Sequence, residues 1–137
     1  MGIVQTEITL KNVFDQMKAN EGSIPENDIR TMTITAMVDT GTSTLVINEE
    51  LCRKLGLDVK ETREVVLADN KKILAKVVDP VEIHWKNRHT MCQPMVVSES
   101  GKILLGFIPL EAMDLIVDPV HQELVGAHGD EEVTWLL

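Results

Sequence analysis

The residues best suited to chemistry in this 137-residue sequence form one short turn, Asp39-Thr40-Gly41-Thr42. An apolar run that ends at Val38 leads into the turn, and a second apolar run at residues 44–47 leaves it. A carboxylate held in such a turn can take a proton from water or give one to a substrate, which is general acid–base chemistry. The turn also has a purely structural interpretation, in which the carboxylate accepts hydrogen bonds from nearby backbone N–H groups. The turn alone leaves both interpretations open.

A second pattern lies at residues 103–114, with the sequence Ile-Leu-Leu-Gly-Phe-Ile-Pro-Leu-Glu-Ala-Met-Asp. Its first part, Leu104, Leu105 and Gly106, precedes a short helix predicted from Pro109, because proline favours the first turn of a helix. In order and separation, the two patterns resemble the active-site loop and the hydrophobic-hydrophobic-glycine element of retropepsin-like aspartic peptidases, of the small bacterial type. Residues 115–128 also resemble the ends of these proteins, so the resemblance spans nearly the whole chain.

The resemblance implies an all-β fold, a retropepsin-like acid-protease half-barrel with two short helices and one half-site per chain. It implies a homodimeric aspartic endopeptidase in which two Asp39 carboxylates, one per subunit, activate water. Thr40 would hydrogen-bond the partner loop, while Gly41 and Thr42 would support the carboxylate. No cofactor and no metal are expected. The chemistry is consistent, because two carboxylates a hydrogen bond apart share one proton and can act as acid and base together.

Residues 66–75 resemble the hairpin flap that covers the substrate in this family, with Ala68, Asp69 and Asn70 at the tip as expected substrate contacts. Viral flaps are rich in glycine, whereas this segment has none. That departure favours an alternative, a catalytically inactive module that binds or scaffolds an extended peptide by strand addition. The intact Asp39-Thr40-Gly41 favours the enzyme, because a scaffold has no need to bring two carboxylates together. Thr42 stands where the family usually has Ala or Ser, and its hydroxyl can still bond the carboxylate.

Four further aspartates have ordinary structural interpretations. Asp69 falls at the hairpin tip, Asp114 lies near a helix end, and both Asp79 and Asp118 precede prolines. None of the four stands in a second copy of the Asp-Thr-Gly motif. The second carboxylate is therefore expected from a second copy of the chain, related by a two-fold axis.

The elements that must position these motifs are mostly strands, because apolar residues alternate with period two along much of the chain. A helix is predicted between Asn48, a good N-cap, and Gly56, a good C-terminal residue, with Cys52 on its apolar face. Residues 16–28 are polar and contain glycine and proline, so they predict a long loop. Strands are predicted at residues 4–10, 31–38, 44–47, 64–68, 72–78, 81–85, 89–97, 115–117, 123–125 and 133–137.

The chain ends suit a role in assembly. Residues 3–10 alternate in polarity, and residues 133–137 finish the chain on Val-Thr-Trp-Leu-Leu. A soluble monomer would bury such large apolar residues, and retropepsin-like subunits join through their chain ends. We therefore predict a two-fold dimer whose interface includes both termini.

Composition limits the partners. The chain has 13 basic and 22 acidic residues, a net charge of −9 and a pI near 4.8. This acidic balance argues against nucleic acid and against anionic membrane surfaces. The sequence has no apolar run of membrane-spanning length, and its two cysteines are too few for a disulfide framework. Its first residues have neither a basic segment nor an apolar one, so we do not expect them to act as a signal peptide. We expect one domain over residues 1–137, a cytoplasmic location and a peptide or protein substrate.

The histidines suggest a metal site only weakly. His84 and His89 flank a predicted hairpin turn, Cys92 follows, and histidines across a strand pair can bind zinc. A structural zinc site needs four ligands, and no fourth is evident, so exposed hairpin histidines are the favoured interpretation. His121 and His128 fall in turn-rich segments and are expected to face solvent.

Overall fold

The computed structural model describes residues 3–97 and 101–136, which contain eleven strands and three α-helices. The strands are β1 (Gln5–Asn12), β2 (Thr31–Val38), β3 (Leu45–Ile47), β4 (Val59–Val66), β5 (Lys72–Val78), β6 (Val81–Trp85), β7 (Arg88–Cys92), β8 (Met95–Val96), β9 (Leu104–Leu105), β10 (Leu115–Asp118) and β11 (Glu123–Gly126). The helices are α1 (Val13–Asn20), α2 (Glu49–Leu55) and α3 (Phe107–Ala112), with a 3₁₀ turn at Glu26–Asp28. No helix in these ranges is long and apolar enough to cross a membrane.

Nine strands form one curled sheet in the order β4-β5-β8-β3-β9-β2-β1-β6-β7, and β10 and β11 form a separate antiparallel pair. The pairs β2–β9 and β3–β8 are parallel, and the other neighbours in the large sheet are antiparallel. The all-β half-barrel prediction is confirmed. The structure adds a helix, α1, to the two that were predicted.

The hydrophobic core includes alternate residues of β1 and residues of its neighbours β2 and β6. Ile8 pairs with Ile34 of β2, and Leu10 pairs with both Met32 of β2 and Ile83 of β6. Alternate residues of a strand face the same side, so this register places one row of aliphatic side chains in the core. Aromatic residues are only 3% of the chain, so aliphatic packing carries most of the hydrophobic stabilisation.

Helix α2 has the two ends that the sequence predicts. The Asn48 side chain accepts a hydrogen bond from the Leu51 N–H at 2.8 Å, and Gly56 adopts a left-handed conformation with φ 65°. Cys52 is buried on the inner face of the helix. Burial raises the pKa of its thiol, so the expected core role of Cys52 agrees with the structure.

The prediction of a loop over residues 16–28 is wrong in its first part, where α1 continues to Asn20. The Asn12 side chain caps this helix by accepting from the Asp15 N–H at 3.0 Å. The buried Asp15 carboxylate then accepts two hydrogen bonds from the Arg30 guanidinium, each at 2.8 Å. Local capping and a distant ion pair together outweigh the polar composition of the segment.

The predicted strand over 133–137 is also wrong for its described residues, which form neither a helix nor a strand. The Val133 N–H donates to Asp114 Oδ2 at 3.1 Å, so it is bonded to a carboxylate and not to a neighbouring strand. Residue 137 lies outside the described ranges.

Candidate active site

Asp39 follows the last residue of β2, near the centre of the sheet. Its N–H donates to the Leu105 carbonyl at 3.0 Å. Strand β9, which contains Leu105, lies between β2 and β3, parallel to the first and antiparallel to the second. The chain therefore leaves β2 at Asp39 and returns on the other side of β9, so strands fix both ends of the loop.

The loop is also fixed to the start of α3. The Thr42 and Ser43 carbonyls accept hydrogen bonds from the N–H groups of Phe107 and Ile108, at 2.8 and 3.0 Å. These N–H groups belong to the first turn of a helix, which has no partner for them within the helix. The helix start and the loop therefore satisfy each other's backbone groups.

Gly106 permits this close approach. A Cβ atom at this position would lie 2.4 Å from the carbonyl oxygens of both Thr42 and Thr44. Carbon and oxygen atoms cannot approach so closely, so any side chain here would displace the loop. Leu104, Leu105 and Gly106 thus lie where the sequence predicts a structural support for the Asp39 loop.

Two hydrogen bonds orient the Asp39 carboxylate. Oδ1 accepts from the Gly41 N–H at 3.0 Å, and Oδ2 accepts from the Thr42 hydroxyl at 2.9 Å. Asp39 is half-buried, whereas Thr40 is exposed. The carboxylate is thus held in one orientation and remains accessible at the protein surface.

A groove of about 680 Å³ opens beside this carboxylate and extends to the β4–β5 hairpin. Among the described residues that line it, Asp39 alone has an ionisable side chain. The other lining residues are small polar or apolar: Gly41, Thr42, Ser43, Thr44, Val46, Val65, Val66, Leu67, Ala68, Ile73, Met95, Val97, Leu104 and Phe107. Such a surface can hold apolar side chains of an extended chain next to a single acid–base group.

The segment predicted as a flap forms the β4–β5 hairpin, whose turn spans residues 67–71. Ala68 lines the groove, whereas Asp69 and Asn70 are absent from its lining and shape the turn. The Asp69 carboxylate accepts from the Lys71 N–H at 2.9 Å, and Asn70 has a left-handed φ of 66°. Asparagine tolerates this conformation, which explains how the turn forms without glycine.

The apolar lining of the groove was not anticipated from the sequence. Val65 and Ile73 face each other across the β4–β5 hairpin, and Phe107 follows Gly106 directly. The apolar runs at residues 65–68 and 73–75, on either side of the hairpin turn, are the available signal for the first two. Phe107 is brought to the groove by the contact between the Asp39 loop and α3, which no local pattern encodes.

The four discounted aspartates are all away from the groove lining. Asp69 lies in the flap turn, and Asp79 is buried at the base of the same hairpin. Asp114 accepts hydrogen bonds from His128 Nδ1 at 2.8 Å and from a backbone N–H. Asp118 caps the turn before β11 by accepting from the Val120 N–H at 2.9 Å. None of the four lines the groove beside Asp39.

The remaining histidines and cysteines do not gather around the groove. The His84 and His89 rings stack with centroids 5.5 Å apart, and His84 Nε2 contacts the Glu82 carboxylate. Burial raises the pKa of Cys92 to about 11, so its thiol stays protonated at neutral pH. In residues 3–97 and 101–136, three possible metal ligands come together only at an exposed turn, as Asp118, His121 and Glu123.

Comparison with solved structures identifies the fold. The retroviral protease-like domain of Ddi1 from Leishmania major superposes with a TM-score of 0.55 and 13% sequence identity, covering 91% of this chain and 88% of that chain. A retropepsin-like aspartic protease from Rickettsia conorii gives a TM-score of 0.43 and 26% identity, covering 64% of this chain and 76% of that one. No curated protein matches the chain.

The fold is therefore retropepsin-like. A family model described as "gag-polyprotein putative aspartyl protease" matches residues 26–111, which is more than half of the chain. The chain belongs to this aspartyl protease family. The resemblance drawn from the Asp39 turn and the Leu104-Leu105-Gly106 element is confirmed at the level of the family.

Proposed function

We propose that two copies of this chain form an aspartic endopeptidase, with the catalytic water held between two Asp39 carboxylates. The observation that carries the proposal is the Asp39 carboxylate itself, which two hydrogen bonds orient in a groove whose other described lining residues are uncharged. Membership of the aspartyl protease family supports the class of reaction, the hydrolysis of a peptide bond. The groove supports the class of substrate, because it has room for an extended peptide beside the carboxylate.

The proposed chemistry needs both subunits. Hydrolysis of a peptide bond requires one group to take a proton from water and another to give a proton to the carbonyl oxygen. Two carboxylates in contact cannot both be ionised, so the pair holds one proton and supplies both groups. Among its described lining residues, the groove of one chain has one such carboxylate, and a second copy across a two-fold axis would complete the site.

The exposed surface supports this assembly. Thr40 is exposed beside the carboxylate, where the partner loop would lie. Near the termini, Ile3 is 67% exposed, Trp135 73% and Leu136 88%. Large apolar side chains are costly to leave in water, so we propose that a second copy covers them.

Cleavage of a diverse peptide pool at mildly acidic pH tests the enzyme. The native chain should cleave with a bell-shaped pH dependence, because only the singly protonated pair is active. Asp39→Asn should abolish cleavage and leave the fold intact. Asp28→Asn is the matched control, because Asp28 is an exposed aspartate in the 3₁₀ turn. An Asp39→Asn protein that cleaves at the native rate would exclude the proposal.

One observation favours a second candidate, a peptide-binding module without hydrolytic activity. The flap turn has no glycine, and the Asp69 carboxylate holds its shape. A flap of fixed shape can retain a peptide by strand addition without a catalytic cycle. This candidate predicts that native and Asp39→Asn chains bind peptides equally and that neither cleaves them.

A further inference from the structure

The root of the flap is closed by two hydrogen bonds. Asp58 precedes β4 and Asp79 follows β5, so the two residues stand at the open end of the β4–β5 hairpin, opposite its turn. The Asp79 N–H donates to the Asp58 carbonyl at 3.0 Å, and the Asp58 N–H donates to Asp79 Oδ2 at 3.0 Å. The β4–β5 register shifts between Val59 and Glu61, directly above this root. The Asp79 side chain therefore joins the two ends of the hairpin, next to the point at which the β4–β5 pairing is irregular.

The Asp79 carboxylate is buried, with 3% of the residue exposed. Its second oxygen, Oδ1, lies 3.1 Å from the ammonium of Lys60, whose side chain is half exposed. A buried carboxylate without a cation is strongly destabilising, so the contact with Lys60 stabilises the root. Lys60 stands at the shifted step of β4, so the ion pair fixes β4 at its most irregular point.

The same lysine reaches a neighbouring element. Lys60 Nζ lies 5.6 Å from the centroid of the Phe14 ring in α1, within the range of a cation–π contact. The Val13 N–H, also in α1, donates to the Pro80 carbonyl at 3.2 Å. The first two residues of α1 thus contact the flap root at Lys60 and at Pro80.

We infer that Asp79 and Lys60 form a clamp at the flap root, supported by α1, that holds the hairpin at the angle at which it covers the groove. Both are positioning residues, because neither lines the groove. The flap residues Val65, Leu67 and Ile73 do line it, so a change at the root alters the groove wall. The inference rests on the proposed function only in taking a peptide as the occupant of the groove.

The test compares Lys60→Gln, Lys60→Arg and a control, Lys72→Gln, each in the full chain. Lys72 lies in β5 and forms an exposed pair with Glu64 at 3.8 Å, so the control removes the same charge from the same hairpin. Hydrogen exchange should accelerate at the Asp58 and Asp79 amides in Lys60→Gln, because weaker closure opens the root more often. Lys60→Arg should restore the native exchange, and Lys72→Gln should leave it unchanged.

Peptide kinetics supply the second readout. A flap that is closed less of the time lowers the apparent affinity in proportion to its closed population. Lys60→Gln should therefore raise KM by up to about fivefold, the upper end of the range for a half-exposed ion pair, with kcat within about twofold of native. Asp79→Asn keeps a similar shape and removes the buried charge, and it should raise KM in the same direction. Loss of kcat at unchanged KM would contradict the clamp.

A binding measurement separates the clamp from the enzyme proposal. Affinity for a fluorescent peptide is measured with Asp39→Asn protein, with and without Lys60→Gln. Weaker binding with Lys60→Gln, in a chain whose native form cleaves nothing, would support the clamp and exclude the endopeptidase. Unchanged exchange at the Asp58 and Asp79 amides would overturn the clamp even in an active enzyme. Faster exchange with unchanged KM and unchanged affinity would also overturn it.

Discussion

Thr42 makes two separate contacts in the Asp39 loop, one through its side chain and one through its backbone. Its hydroxyl donates to Asp39 Oδ2, and its carbonyl accepts from the start of α3. The backbone contact is available to any residue at this position, whereas the hydroxyl contact needs Thr or Ser. The two contacts can therefore be separated by substitution.

Thr42→Ala should lower peptide cleavage, because the Asp39 carboxylate loses one of the two hydrogen bonds that orient it. A hydrogen bond to a charged group contributes about 1.5–3 kcal/mol. Thr42→Ser should keep the native rate, because its hydroxyl can make the same contact. Cleavage rates of the two variants and the native chain at one pH measure the difference, and equal rates would contradict the role of the hydroxyl.

Gly106→Ala should destabilise the protein by about 1–3 kcal/mol or more, the cost of overpacking a well-packed site. The added methyl group would overlap the Thr42 and Thr44 carbonyls. Gly101→Ala is the control, because a Cβ at Gly101 would meet nothing within 4 Å. Urea unfolding of both variants gives the comparison. Equal stability of Gly106→Ala and native protein would show that the loop can move away without cost.

At the scale of elements, the predictable parts were those with local signals. Helix α2 has its cap residues within the element itself, at Asn48 and Gly56. Helix α1 also has a local signal, the Asn12 cap three residues before Asp15, but the polar residues after it favoured a loop. What stabilises α1 is the contact between Asp15 and Arg30, fifteen residues apart, and composition does not report such pairs.

Asp15→Asn should destabilise the chain by about 1–3 kcal/mol at neutral pH, because Arg30 loses its charged partner. The Arg30 guanidinium holds the pKa of Asp15 below its usual 3.8, against the opposite effect of burial. This contribution is present above pH 3.8 and disappears as the pH falls through the lower folded value. The stability difference from native should therefore shrink below pH 3.8.

Urea unfolding at neutral and strongly acidic pH measures that difference. Glu50→Gln serves as the control, since Glu50 forms an exposed pair with Lys54 at 3.1 Å. It should change stability by less than about 1 kcal/mol at either pH. A difference between native and Asp15→Asn that stays constant with pH would contradict the ion-pair account.

At the scale of the molecule, Arg88 organises the C-terminal part of the chain. It is 1% exposed, and its guanidinium donates to the carbonyls of Met113 and Asp114 at 3.0 and 2.6 Å, and to that of Gly129 at 2.6 Å. Burial would raise the pKa of Asp114, but hydrogen bonds from His128 and Val133 outweigh it and the pKa is lowered. These contacts join residues far apart in sequence. A local pattern therefore indicates neither the role of Arg88 nor the irregular conformation found where a strand was predicted over 133–137.

Removal of residues 133–137 should weaken the proposed dimer by at least about tenfold while the subunit stays folded. Trp135 and Leu136 are mostly exposed in the single chain, so their loss removes little internal packing. Burial of each such side chain against a partner would contribute roughly 1.5–3 kcal/mol. Sedimentation over a range of protein concentrations measures the dissociation constant. An unchanged constant would place the dimer interface elsewhere.

Strand β9 has a consequence for the order in which the molecule forms. It lies between β2 and β3 in the sheet, yet more than half of the chain precedes it in synthesis. A nascent chain that has not reached Leu105 has no acceptor for the Asp39 N–H and no strand to separate β2 from β3. Closure over such long sequence separations makes folding slow relative to local helix formation. The backbone anchor that holds the Asp39 loop between β2 and β3 therefore forms only after β9 has joined the sheet, later than the local contacts that build the helices.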